Sequence, residues 1–202
     1  MTRVVFSLSA DTVLYFNDQR KFGWIRLVDT DALSAGEFLS RLGPEPLSDA
    51  FTRRGLRQRL RDHPRPPVGA VILDQSTVAG VGNVYADEAL HLARIDPRRR
   101  AGTLTVAEVG RLHAAIRTVI GNALEHGGTS FVDYVNDFRN RDITNRDLSN
   151  REARGGKPRL DVSYLARSRV FQRGEPCEVC TTSIQRIRVA GRGTNICPRC
   201  QR

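Results

Sequence analysis

The 202-residue chain has only four cysteines, all at or beyond residue 177, so no disulfide framework staples most of its length. It has no long apolar run near Met1 or elsewhere that reads as a signal peptide or membrane span, which makes the cytoplasm the expected location. Lysine is nearly absent: Lys21 and Lys157 are the only two among 32 basic residues. The stretch Val78 to Glu88 has two glycines but lacks the third glycine of a dinucleotide fingerprint. It also lacks the Gly-Lys-Ser/Thr of a nucleotide-triphosphate loop. His113 and His126 have no second histidine or carboxylate cluster at metal spacing beside them, and read as ordinary helix residues.

What the chain has in abundance is arginine. A formal charge of +10 and a pI near 10.4 predict attraction to a polyanion, and arginine favours bidentate contact with phosphate. A compositional bias of the source genome would supply many of these arginines without any role, so charge alone does not decide the matter.

The cysteines form two knuckles, Cys177-Glu178-Val179-Cys180 and Cys197-Pro198-Arg199-Cys200, joined by a short basic hairpin. Each Cys-x2-Cys turn aims two sulfurs at a common point, which suits one tetrahedral zinc ion; a pair of disulfides or four incidental thiols is the alternative. Four thiolate ligands leave no open position for a catalytic water, so the expected zinc is structural.

Periodicity divides the chain into segments. Residues 1–30 alternate apolar and polar positions in Val4 to Leu8, Thr12 to Phe16 and Gly23 to Val28, which predicts a three-stranded antiparallel meander. Its apolar face has no obvious cover, which suggests a missing upstream part. Residues 31–135 read as helical. A capping box at Thr105-Val106-Ala107-Glu108 opens a helix that aligns Val109, Leu112, Ile116, Val119 and Ala123, and Gly127-Gly128 ends it. An earlier helix near Phe51 to Asp62 carries Arg53, Arg57 and Arg61 as a stripe, either a solvated face or a phosphate contact. Gly80-Val81-Gly82-Asn83 leads into another helix with Asn83 as expected N-cap, either a phosphate cradle or a tight packing turn. Residues 136–168 are rich in charge, Asn, Gly and Ser and predict a long mobile loop. Residues 169–202 form the cysteine module, with a turn at Gly191-Arg192-Gly193 that places Arg192 at a hairpin tip.

Together, Leu73-Asp74-Gln75 through Leu90, Gly127 to Ser130, Asp18-Gln19-Arg20-Lys21-Phe22-Gly23 and the finger from Cys177 to Gln201 resemble the formamidopyrimidine-DNA glycosylase / endonuclease VIII family. The resemblance implies an α+β chain: a partial antiparallel β-sandwich remnant, a helix-two-turn-helix domain and a four-cysteine zinc-finger hairpin. It implies a monomer that takes duplex DNA with oxidised-base or abasic lesions, excises the base and nicks the strand. Arg20 and Phe22 match residues wedged into the gap left by a flipped base, Phe22 being alternatively a sheet-core aromatic, and Lys21 would be a phosphate contact. Asn83 matches a residue gripping the phosphates beside the lesion. Arg192 matches the finger-tip arginine, assigned in the family as a proton donor for the second elimination; a phosphate clamp is the physically better-founded role for so weak an acid.

The departures fall where the chemistry resides. The family's nucleophile is an N-terminal proline followed by glutamate, whereas this chain opens Met1-Thr2-Arg3; catalysis by these 202 residues is therefore expected to be impaired. Gly69 stands where the family usually has a lysine, and the stretch Asp137 to Asp161 is longer than the family's loop. Three readings follow: a glycosylase/lyase whose recorded sequence starts late, a binder of damaged DNA that does not cut, and a zinc-ribbon adaptor.

Overall fold

The computed structural model describes residues 2–8, 12–18, 21–32, 36, 39–125 and 174–202. Gly127-Gly128 and the expected loop 136–168 lie outside them, as does Arg20. The chain divides into two compact units, Met1–Ser40 and Arg41–Arg202.

In the first unit, β1 (Thr2–Ser7) pairs antiparallel with β2 (Val13–Asn17), with an irregularity between Thr2 and Val4. The expected third strand does not form: Gly23 to Val28 lies outside any ladder. Alternation marks a segment able to pair, but a strand exists only where a neighbour accepts its backbone groups. Trp24, Ile25 and Leu27 of this run are exposed, as are Val5, Leu14 and Tyr15 of the hairpin. The structure therefore holds a two-stranded hairpin, not a three-stranded meander.

In the second unit, among the described residues, four α-helices contribute to the main core. They are α1 (Arg53–Asp62), α2 (Val68–Val71), α3 (Asn83–Ala93) and α4 (Val106–Glu125). Helix α1 starts where the Thr52 hydroxyl accepts the Gly55 N–H at 3.0 Å, and it buries Leu56 and Leu60. Arg53, Arg54 and Arg61 stay exposed, while Arg57 and Arg59 are half-buried. Helix α4 buries Val109, Leu112, Ile116, Val119 and Ala123, as its apolar spacing predicts. Its capping box is reciprocal: Glu108 accepts the Thr105 N–H at 2.7 Å, and the Thr105 hydroxyl accepts the Glu108 N–H at 3.3 Å. His113 serves the core, stacked on Phe51 with ring centroids 4.7 Å apart and its Nε2 2.8 Å from the Phe51 carbonyl oxygen.

Part of the arginine excess is spent on this scaffold. Arg117 donates to the carbonyls of Pro46 and Ser48, Arg111 donates to Ala93 at the end of α3, and Arg99 pairs with Glu108. Among the described residues no helix is long and apolar enough to cross a membrane.

The Arg99 guanidinium holds the Glu108 carboxyl down at about 2, well below the usual carboxylate range. A depressed carboxylate stabilises the fold above its unfolded value, and that contribution fades as pH falls from about 4.5 towards 2. Glu108→Ala is expected to cost roughly 1–2 kcal/mol near neutrality, from the cap and the ion pair. Urea unfolding should show the gap to the unmodified protein narrowing as the pH is lowered through about 4.

Candidate nucleic-acid interface and metal centre

The approach to α3 is built by two side chains. Asp74 accepts the Ser76 N–H at 2.9 Å, which fixes the first turn. Gln75 then spans the second: its Oε1 accepts the Gly80 N–H at 2.8 Å and its Nε2 donates to the Val81 carbonyl at 3.1 Å. Gly80, at φ +78°, adopts a left-handed conformation that favours glycine. Gly82 does not: its φ is −99°, and a Cβ there would meet nothing within 4 Å. Neither strain nor internal packing demands glycine at that position. The N-cap is Gly82 and not the expected Asn83, and it supplies no side-chain cap, so Asn83 is the first helical residue. The start of α3 thus presents backbone N–H groups beneath an open glycine. Gly69 is buried on α2, where a Cβ would lie 3.1 Å from the Pro97 side chain, a tight contact.

The finger is a hairpin of β3 (Gln185–Val189) and β4 (Arg192–Ile196). Ala190 and Gly191, at φ +47° and +83°, are its two loop residues, the backbone signature of a tight primed turn. Arg192 is therefore the first residue of β4 and not the loop itself. It is exposed, and among the described residues its guanidinium makes no hydrogen bond or ion pair.

Three residues of α3 spaced by four meet the cysteine module, two at β4 and one at Cys177. Asn83 Nδ2 donates to the Gly193 carbonyl at 2.9 Å. Asp87 accepts the Asn195 N–H at 2.8 Å. His91 Nε2 lies 3.4 Å from Cys177 Sγ. Asn83 is thereby bonded to the residue that follows Arg192 in sequence, although 110 positions separate the bonded pair. Asn83 Oδ1 is buried and has no partner among the described residues. Sequence reasoning missed Asp87 and His91, because polar residues at helical spacing read as a solvated face.

The four cysteines are free thiols, which removes the disulfide alternative. Cys177 Sγ is 3.8 Å from that of Cys200, and Cys180 Sγ is 3.4 Å from that of Cys197. A tetrahedral ion with bonds of ~2.3 Å sets its sulfurs ~3.8 Å apart, so the residues fit one structural zinc. Hydrogen bonds with Thr182 hold the Cys180 thiol down at about 6. Burial, reinforced by the neighbouring sulfurs, pushes Cys200 up to about 12 and raises Cys197. A bound dication would supply positive charge that favours the thiolate forms.

Of the other expected contact residues, Lys21 and Phe22 lie in the first unit. The Asp18 carboxylate accepts the N–H groups of Lys21 and Gly23 at 2.8 and 2.7 Å, closing a loop that leaves Phe22 77% exposed. Phe22 is thus not a sheet-core aromatic. A Cβ on Gly23 would meet the Phe16 ring at 2.6 Å, which accounts for that glycine.

Burial drives the Asp87 carboxyl up to about 7, with Glu88 adding to the rise while the Asn195 N–H and Arg186 oppose it. The folded chain therefore holds a proton that the unfolded chain releases, and stability at this site is lost as pH rises from about 4 through about 7. Asp87→Asn keeps an acceptor oxygen for Asn195 without the charge. It is expected to raise the Tm of the zinc-loaded protein near pH 8 by several degrees, at roughly 2–4 °C per kcal/mol. The difference should shrink when the Tm is measured near pH 5.5.

Known proteins repeat this arrangement. Residues 42–134 match the formamidopyrimidine-DNA glycosylase H2TH domain, and residues 174–202 match the zinc finger found in FPG and IleRS. The formamidopyrimidine-DNA glycosylase of Symbiobacterium thermophilum is 44% identical over 98% of this chain, and the chain spans 58% of that relative's length. The crystal structure of MutM (Fpg) from Thermus thermophilus superposes with a TM-score of 0.76 at 37% identity, covering 99% of this chain and 68% of that one. Lactococcus lactis Fpg, solved as a complex with an abasic-site-containing DNA, aligns with a TM-score of 0.76 at 31% identity, over 96% of this chain and 64% of that one. With the Gln75-braced turn, the α3 start and the four-cysteine finger in one unit, the chain belongs to the formamidopyrimidine-DNA glycosylase / endonuclease VIII family.

Proposed function

We propose that this chain acts in base excision repair by gripping duplex DNA beside an oxidised-base or abasic lesion. The observation that supports the reading is the Asn83–Gly193 hydrogen bond, which ties the first residue of α3 to the residue after Arg192, whose exposed guanidinium has no partner among the described residues. Both features suit a phosphodiester: a helix N-terminus offers N–H donors, and an arginine offers a bidentate charged fork. Gly82 supports the same reading, because its missing side chain leaves the backbone open to an approaching phosphate. Lys21 and the exposed Phe22 would add a phosphate contact and a wedge into the stack, the part that Arg20 shares by sequence.

The relatives named formamidopyrimidine-DNA glycosylase support a link to base excision. For these 202 residues we propose binding without Schiff-base chemistry. Lys21 and Lys157 are the only side-chain primary amines, and Lys21 stands exposed, not in the apolar enclosure that activates such an amine. Arg192 would act as the clamp on a lesion phosphate.

Fluorescence anisotropy with an abasic duplex tests the grip. Affinity should fall steeply with added salt, and Arg192→Ala should weaken binding roughly tenfold or more and flatten the salt slope by about one phosphate contact. Equal binding by the variant contradicts the clamp. Borohydride reduction of the same complex should leave no covalent adduct; a strong adduct would contradict binding without cutting.

A further inference from the structure

The third residue of the α3 stripe belongs to none of the motifs that carry the DNA reading. His91 is 3% exposed and follows Asn83 and Asp87 at steps of four along the face that meets the finger. Its ring nitrogen and the sulfurs of Cys177, Cys197 and Cys200 all lie within 4.8 Å of one another. The metal site thus has five candidate donors for an ion that takes four.

The cysteines fill the shell without it. Their two cross-pairs, at 3.8 and 3.4 Å, are close to the ~3.8 Å edge of a tetrahedral four-sulfur site. A metal-bound thiolate can only accept a hydrogen bond, so a ring nitrogen 3.4 Å from Cys177 Sγ meets it as an N–H donor. Four thiolates around one dication also leave an excess of negative charge, which a buried donor disperses.

We propose that His91 is a positioning residue of the zinc site, its Nε2–H donating to the Cys177 sulfur. The bond joins the metal centre to the helix whose first turn carries Asn83, so metal loading and docking of the finger on α3 reinforce each other. The inference rests on the zinc site and is independent of the DNA reading.

The test uses the full chain with His91→Phe, which fills the space without an N–H, and His91→Gln, whose amide can donate from a similar reach. Competition with a chromophoric chelator is expected to show zinc held roughly 10–100-fold more weakly by the Phe variant, with most of the loss restored in the Gln variant. In cobalt-substituted protein the sulfur-to-metal charge-transfer band should move to longer wavelength in the Phe variant, because an unbonded thiolate gives up its electrons more easily. Cadmium-substituted unmodified protein should show the His91 Nε2–H proton coupled to the metal through sulfur, a readout that needs no variant to fold. Unchanged zinc affinity and an unchanged cobalt band in His91→Phe would overturn the proposal. So would a cobalt spectrum of three sulfurs and one nitrogen in the unmodified protein, which would make His91 a ligand.

Discussion

Docking of a small zinc hairpin onto one helix is the constraint on which the rest of the second unit depends. The finger's own core is little more than Cys177, Ile184 and Cys197, with Cys180 and Cys200 packed against it. So small a module needs a metal, and this one also needs a surface. Helix α3 provides it through Asn83, Asp87 and His91. The far end of the seam is closed by Gln201, which accepts the Cys197 N–H at 2.8 Å and donates to the Ile95 carbonyl at 3.0 Å. Because these contacts are directional, they set the hairpin's position and not merely its proximity. Arg192 inherits its place from them.

The seam also carries a cost. Asp87 is buried where its charge is disfavoured, and Asn83 Oδ1 is buried without a partner among the described residues. A buried polar atom without a bond costs about 1–3 kcal/mol, so an apolar seam would be cheaper to build. Polar contacts that fix one register are the expected solution when the aim is to hold an exposed arginine beside a helix start.

Elements governed by local rules were legible in the sequence. The Thr105/Glu108 box, the apolar face of α4 and the two cysteine knuckles each rest on residues a few positions apart, and the structure carries all three. Long-range partners were not legible. Gly23 to Val28 alternates like a strand, yet alternation cannot say whether a neighbour exists to pair with it. Asn83 reads as an N-cap until the structure shows its side chain turned to a carbonyl in the finger. Asp87 and His91 look like surface residues because their partners lie 108 and 86 positions away. The arginines were ambiguous for the same reason: Arg99, Arg111 and Arg117 serve the scaffold, and Arg192 shows no such use among the described residues.

The proposed grip has Asn83 and Arg192 act on DNA as one unit, coupled through the Asn83–Gly193 hydrogen bond between helix and finger. A double-mutant cycle on affinity for an abasic duplex, with Asn83→Ala, Arg192→Ala and both together, measures that coupling directly. The account predicts a coupling energy on the order of 1 kcal/mol, the double variant losing less than the two single losses combined. Strictly additive losses would contradict it.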